Sequence, residues 1–198
     1  MTTEGLTLIT PTAVSAVSVG TATIEPSGLV TFDNARQLRV EGVFSSSYDD
    51  YFVVYGGSLK GTGTAWYHTS GVRLMNGSTP DSTSIYGYSR TESPSSNAGN
   101  VVNTGTTDRF VNLRTGGPTD TAFRAFSVSL YLFSPFDGTR PTVGISMGGN
   151  WSGTYYYGYE SSLSTTNSGS YDGLEIDLWA SSVDIRGTGT IAVYGINR

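Results

Sequence analysis

The sequence predicts an all-β protein, an antiparallel β-sandwich of jelly-roll type with an extended N-terminal arm or strand. Three observations lead there. Apolar and polar residues alternate in short runs, and helical spacing is almost absent. Clusters of Gly, Ser, Thr, Asn and Pro separate these runs, as turns separate strands. The composition holds 26 Gly and 13 Tyr but only 14% charged residues, so the apolar side chains need burial in a core. The 37% hydrophobic content is concentrated in the alternating runs, which argues against disorder.

The chain has 198 residues, a length that suits one domain. The first twenty or so residues are small and apolar, with Pro11 and Pro26 as punctuation, and residues 1–28 are expected to form an arm or a first strand. Residues 29–198 are expected to form a single sandwich domain. Within it, residues 37–44 place Leu38, Val40, Gly42 and Phe44 on one face, with Arg39 and Glu41 opposite. Tyr51-Phe-Val-Val-Tyr55 is dense in strand formers. Residues 76–84, 93–107 and 165–170 read as turn-rich connections, and 89–107 as one long exposed loop. Residues 110–114 alternate again. The clearest strand spans 123–133, where Phe126, Val128, Leu130 and Leu132 share a face against Ala125, Ser127, Ser129 and Tyr131. Leu174, Ile176 and Leu178 oppose Glu175, Asp177 and Trp179. A last strand, 190–196, sets Ile191, Val193 and Gly195 against Ala192 and Tyr194, a pattern suited to a central position with close backbone approach at Gly195. No repeat of 20–50 residues is evident, which disfavours a solenoid or propeller.

Charge narrows the function classes. The net charge is −5 and the sequence contains no run of Lys or Arg, so nucleic acid is not an expected partner. No apolar run is long enough for a membrane helix, and Met1-Thr-Thr-Glu4 lacks the start of a signal peptide. There are no cysteines, hence no disulfide and no cysteine–zinc site.

Catalytic chemistry finds little support. His68 is the single histidine, and no Ser stands in a Gly-x-Ser-x-Gly elbow. No catalytic residue, metal or cofactor is expected. Glu175 and Asp177 lie two apart on one strand, which puts their Cβ atoms ~7 Å apart, within reach of a glycosidase pair. Two acids on the polar face of a strand are more often solvated or paired with Arg. Asp49, Asp50 and the Asp172-Gly173 pair read as turn residues. Gly61-Thr-Gly63 and Gly187-Thr-Gly189 lack the Lys of a phosphate loop and read as turns or strand edges. The aromatic cluster is the leading binding candidate: Trp151, Tyr155, Tyr157 and Tyr159 combine flat apolar rings with hydroxyls that suit sugar contact. The alternative is that these rings pack in a core or between subunits. The small, weakly polar face of Ala125, Ser127, Ser129 and Tyr131 is the candidate oligomer interface, since no charge protects it.

Five ordered segments carry a resemblance: Leu6-Thr-Leu-Ile-Thr-Pro-Thr12, Val40-Glu-Gly-Val-Phe-Ser45, Tyr48-Asp-Asp-Tyr-Phe-Val-Val54, Tyr171-Asp-Gly173 and Gly189-Thr-Ile-Ala-Val-Tyr-Gly-Ile196. Together they resemble structural proteins of tailed bacteriophages, the minor tail or tail-fibre-like β-domain proteins. That resemblance implies a compact, oligomeric β-domain carried on the virion and assembled in the bacterial cytoplasm. It brings no catalytic residues.

The expectation is therefore a non-enzymatic virion surface protein, a tail-associated binding module contacting host-surface glycan. It is expected to associate with itself, a trimer being the first guess by analogy, and with other tail or capsid proteins. The alternative is a capsid decoration protein that reinforces or covers the shell. A glycan-cleaving enzyme built on Glu175 and Asp177 is the third reading.

Overall fold

The computed structural model describes residues 5–62, 67–83, 85–94, 101–107, 109–116, 124–151, 156–178 and 184–197. These hold sixteen strands and no helix. The N-terminal third contains β1 (Leu6–Leu8), β2 (Ala13–Ala16), β3 (Thr21–Ile24), β4 (Val30–Ala35), β5 (Gln37–Glu41) and β6 (Asp50–Thr62). Next come β7 (Tyr67–Asn76), β8 (Thr79–Pro80), β9 (Tyr86–Pro94), β10 (Val101–Thr107) and β11 (Phe110–Gly116). The chain continues through β12 (Arg124–Phe133), β13 (Pro141–Trp151), β14 (Tyr156–Ser168), β15 (Gly173–Asp177) and β16 (Asp184–Ile196).

Among the described residues all strand pairings are antiparallel. One sheet of ten strands runs β10-β9-β14-β13-β12-β6-β16-β4-β3, with β1 also on β16. A second sheet of six strands runs β11-β7-β15-β5-β2, with β8 on β7. The chain passes repeatedly between the two layers, as in a jelly roll, but the layers are unequal. The fold is thus the expected antiparallel β-sandwich.

Alternation decides what lies between the layers. Tyr51, Val53 and Tyr55 of β6 are buried, as are Phe126, Val128, Leu130 and Leu132 of β12. Ile191 and Val193 of β16 join them, and the smaller sheet contributes Leu38, Val40, Val72, Leu74, Leu174 and Ile176. Burying each large apolar side chain contributes about 1.5–3 kcal/mol, so these strands are held by the sandwich and not by strand propensity.

Backbones approach most closely where β6 crosses β16. A Cβ on Gly189 would sit 2.0 Å from the Gly56 carbonyl oxygen, and one on Gly57 would sit 2.1 Å from that of Thr188. Glycine is required there because no side chain fits. The Gly187-Thr-Gly189 segment is therefore the interior of a central strand and not a turn or strand edge; β16 also shifts register against β4 at this point. At Gly195 a Cβ would meet the Tyr48 ring at 2.4 Å, so the space is taken by a side chain and not by the close backbone approach that the alternation suggested.

Two further expectations need correction. Residues 89–107 are not a long loop: β9 and β10 pair from Tyr86↔Thr107 to Glu92↔Val101 and form one edge of the larger sheet. From Ser89 onward these strands are mostly polar and carry only the adjacent Val101 and Val102 as branched apolar residues, so no apolar alternation marked them. Asp50 is the first residue of β6 and is buried, its carboxylate accepting the Ser134 amide at 3.3 Å. The N-terminal segment takes the strand alternative. It runs as β1, β2 and β3, alternating between the sheets, and the 28/29 division falls inside the turn where the Glu25 amide donates to the Leu29 carbonyl.

The inner face of β13 is made of small residues, among them Thr142, Gly144 and Ser146. The Ser146 hydroxyl is buried and finds no hydrogen-bond partner among the described residues. Removing an unpaired buried hydroxyl relieves a desolvation cost. Ser146→Ala is expected to raise stability by about 1 kcal/mol; urea unfolding that gives an equal or larger loss instead would place a partner on that oxygen.

Candidate functional site

Loops of both sheets gather at one end of the sandwich. Three segments matter: 42–49 between β5 and β6, 134–140 between β12 and β13, and 169–172 between β14 and β15. The turn 76–83 around β8 joins them. Tyr51 fixes the first of these. Its hydroxyl donates to the Ser45 carbonyl at 2.7 Å and accepts the Ser45 amide at 2.6 Å, while its ring meets Phe44 edge-on at 4.7 Å. Burial pushes the Tyr51 hydroxyl up from its ordinary pKa, so it remains a neutral donor.

The other loops are tied to one another. The Tyr171 amide donates to the Pro135 carbonyl at 3.0 Å, and the Ser170 hydroxyl to the Phe136 carbonyl at 2.8 Å. The Asp172 carboxylate accepts the Gly77 amide at 2.9 Å, and its carbonyl accepts the amides of Val43 and Phe44. Segments 134–138 and 169–171 thereby form a shared wall between two grooves. One groove, about 400 Å³, is lined by Asn76, Asp81, Thr83, Asn167, Ser170 and Tyr171, among others. The second, about 350 Å³, includes Ser45, Tyr48, Asp49, Phe136, Asp137 and Arg140. Both volumes fall within the range of small-ligand pockets.

Two loops carry the same device. Asp81 accepts the Thr83 amide at 3.1 Å and its hydroxyl at 2.6 Å; Asp137 does the same with Thr139 at 2.9 and 2.6 Å. These Asp-x-Thr turns hold each carboxylate in place. The Thr139 hydroxyl and amide, with Arg140 beyond them, hold the Asp137 carboxyl below its usual range. Tyr171 donates to Asp81 at 3.2 Å, and Gly169 covers its ring so closely that a Cβ would stand 2.7 Å away. Burial, with the Asp81 charge second, raises the Tyr171 hydroxyl to about 12. Tyr86 is raised further, chiefly by burial; its hydroxyl accepts the Leu74 amide and donates to the Asp81 carbonyl, both at 3.0 Å. The grooves therefore offer hydroxyls, amides and fixed carboxylates beside the half-buried Tyr48 and the exposed Phe136, an arrangement that can bind a hydroxyl-rich ligand.

The sequence-chosen aromatics are placed differently. Tyr159 is 5% exposed and belongs to the core, which corrects its reading as a ligand contact. Its strand, β14, lies between β13 and β9 in the middle of the sheet, so residues on that face meet the opposite layer. Tyr155 lies outside the described residues, as do the side chains of Trp151 and Tyr157. The side chain of His68, on β7, is likewise outside them. The groups that line the grooves were missed. The repeated Asp-x-Thr spacing in two Gly/Pro/Ser-rich loops was the signal that could have found them.

Glu175 and Asp177 do share the outer face of β15, yet both are buried. Arg39 Nε meets Glu175 at 2.9 Å and Arg73 Nη1 meets its other oxygen at 2.8 Å, while Arg109 pairs with Asp177. A carboxylate held between guanidiniums and closed to solvent is poorly placed to act as acid or base on a glycosidic bond.

Ala125, Ser127, Ser129 and Tyr131 lie on the outer face of β12, as alternation required. Ala125 and Ser127 are exposed, and Ser129 and Tyr131 are half-buried. Pairing registers extend this face across the sheet. Tyr194, Phe52, Tyr131 and Ile145 form one row, and Ala192, Val54, Ser129 and Met147 the next. Phe52 packs on Tyr131 at 4.4 Å between ring centres. Val143, Ile145 and Met147 are 47%, 44% and 52% exposed. These two rows hold no charge until Glu160 on β14.

No family model matches the chain, and no match was found among curated proteins. Among solved structures, a lectin from Bauhinia forficata in complex with GalNAc overlaps 98% of this chain and 100% of that chain at 10% identity. Its TM-score is 0.20, too low to carry an argument.

The raised tyrosine hydroxyls set an alkaline limit. A folded-state value of about 12 for Tyr171, above the ordinary 10, means that the folded state holds this proton more tightly. Its contribution is complete below pH 10 and is lost as pH rises through 12. Denaturant unfolding of the wild type should show stability falling over that window, and Tyr171→Phe should make the fall shallower; identical pH profiles would show that Tyr171 ionises freely.

Proposed function

We propose that this chain is a non-enzymatic surface protein of a tailed-phage virion, a tail-associated module that assembles with copies of itself and binds host-surface glycan. The observation that carries the binding role is the pair of adjoining grooves at one end of a rigid sandwich. Their walls are interlocked by backbone hydrogen bonds, so ordering them costs little on binding. Asp, Asn, Ser and Thr supply hydrogen bonds, and Phe136 and Tyr48 supply ring surface, the combination that holds sugars. The glycan role thus moves from the Tyr155–Tyr159 segment to the loop end. The virion assignment rests on the five ordered segments that resemble minor tail and tail-fibre-like proteins.

The self-association role rests on a second observation, the uncharged apolar rows across β16, β6, β12 and β13. An exposed face of this kind on a chain with few charges needs a cover. A second copy presenting the same flat face meets that need, because two sheet faces pack at about 10 Å with side chains interleaved.

Three experiments address this reading. Copy number in purified virions, measured by quantitative mass spectrometry against the major capsid protein, should be a few to a few dozen; hundreds would assign the chain to capsid decoration instead. Phe136→Ala should reduce binding of the purified protein to host cells several-fold with unchanged thermal unfolding, and undiminished binding would remove the grooves from the contact. Light scattering should give a multiple of the chain mass for the wild type and a single-chain mass for Ile145→Asp with Met147→Asp. A wild type already at single-chain mass would refute self-association through this face.

A further inference from the structure

The face proposed above for self-association is uneven in its side chains, and the unevenness follows a pattern. Strand registers divide the face about the row of Ala192, Val54, Ser129 and Met147. On one side stands the row of Tyr194, Phe52, Tyr131 and Ile145, with Phe133 and Val143 beyond it. On the other side the same four strands carry Thr190, Gly56, Ser127 and Gly149, with Ser58 and Ala125 beyond. Bulky side chains thus fill one half of the face and small ones the other. Phe52 and Tyr131 pack at 4.4 Å between ring centres, which braces the raised half. Ile145 is 44% exposed and Ser127 is exposed, so ridge and trough both meet solvent. Asp50 shares the row of Phe133, but it is buried and accepts the Ser134 amide.

A half turn about an axis laid along the middle row turns a copy over and reverses its strands. Rows equally far from the axis then face each other. Phe52 meets Gly56 of the second copy, Tyr131 meets Ser127, and Ile145 meets Gly149. Val54 and Met147 meet their own counterparts. Each ridge is seated in a trough, and the contact closes on two chains, because a two-fold interface uses the same patch on both copies. Extent agrees with this. Four strands at ~4.8 Å and five rows at ~6.8 Å cover about 650 Å² per copy. The total of ~1,300 Å² lies within the ~1,200–2,000 Å² of stable interfaces. Glu160 continues the middle row onto β14, where it would face its own charge, so the contact ends at β13.

Resting on that self-association reading, we propose that the partner is one second copy related by a two-fold axis, the bulky half of each face seated in the small-residue half of the other. Sedimentation of the full chain at micromolar concentrations should give twice the chain mass and nothing larger. Ser127→Tyr separates fit from stickiness. It adds apolar surface, which would strengthen unspecific association, but it fills the trough and should weaken the pair at least tenfold with the thermal melt unchanged. The chain contains no cysteine, so single thiols give a second readout. Ser129→Cys, on the axis row, should be joined into dimers by a short bifunctional maleimide. Ser127→Cys should not, since its counterpart stands about 14 Å further along the strands. Should Ser127→Tyr fail to fold, the two thiol variants decide. A wild type of three or more chains overturns the two-fold seating and leaves self-association standing. So does folded Ser127→Tyr that associates as tightly as the wild type, or equal cross-linking of the two thiols. A wild type at single-chain mass overturns both.

Discussion

Thirteen residues of β6 pair with thirteen of β16, from Thr62↔Asp184 to Asp50↔Ile196, and the rest of the larger sheet is hung on either side of this ladder. β12 adds to the free edge of β6, while β4 and β1 add to that of β16. Because alternation is strict along both strands, the ladder also settles which residues face the smaller sheet and which face outward. A one-residue slip would bring Phe52, Val54 and Tyr194 inward and push Tyr51, Val53 and Tyr55 out. The glycines at 56, 57 and 189 enforce the register, since backbones that come so close leave no room for a shifted side chain.

From this frame the molecule presents three kinds of surface. On the outer face of the larger sheet, two uncharged rows cross from β16 to β13, one through Phe52 and Tyr131 and one through Val54 and Ser129, while Lys60 and Arg186 lie further along β6 and β16. The outer face of the smaller sheet carries arginines and carboxylates whose side chains are largely withdrawn from solvent. At one end, loops from both sheets lock together through buried tyrosines and backbone hydrogen bonds. Each surface suits a different chemistry, and none requires the sheets to move. In the proposed module, specificity would come from small groups projected by a stiff scaffold.

The fold was legible wherever one face of a strand was buried and the other wet. The stretch at 123–133 and the pair Leu174 and Ile176 show this, because burial leaves a period-two imprint. It was illegible in β9 and β10, where residues from Ser89 onward are mostly polar and no apolar alternation shows. Glu175 and Asp177 were read as sharing one face of their strand, solvated or paired with Arg, and only tertiary pairing reveals that three arginines close over them. The arginine cluster had no linear signal: its members come from positions 39, 73 and 109. Tyr159 misled for a related reason. A run of tyrosines looks alike whether its rings meet sugar or core, and the neighbouring strands decide. The loop-end grooves depend on segments distant in sequence, so only the repeated Asp-x-Thr spacing hinted at them.

The pairing of β1 with β16 joins Leu6 to Ile196, nearly the whole chain apart, and β4 reaches the same partner. Contacts this distant make the topology slow to assemble, since the entropy of closing long loops comes before any gain from packing. While β16 is unplaced, β6 is an open edge beside the apolar rows of Phe52 and Val54. An immature chain is then both sticky and templating, and its yield is set by a race between docking its last strand and meeting another unfinished copy. The proposed self-association would use the same face that makes the unfinished chain hazardous, so the sparse charge of this protein bears on its folding as well.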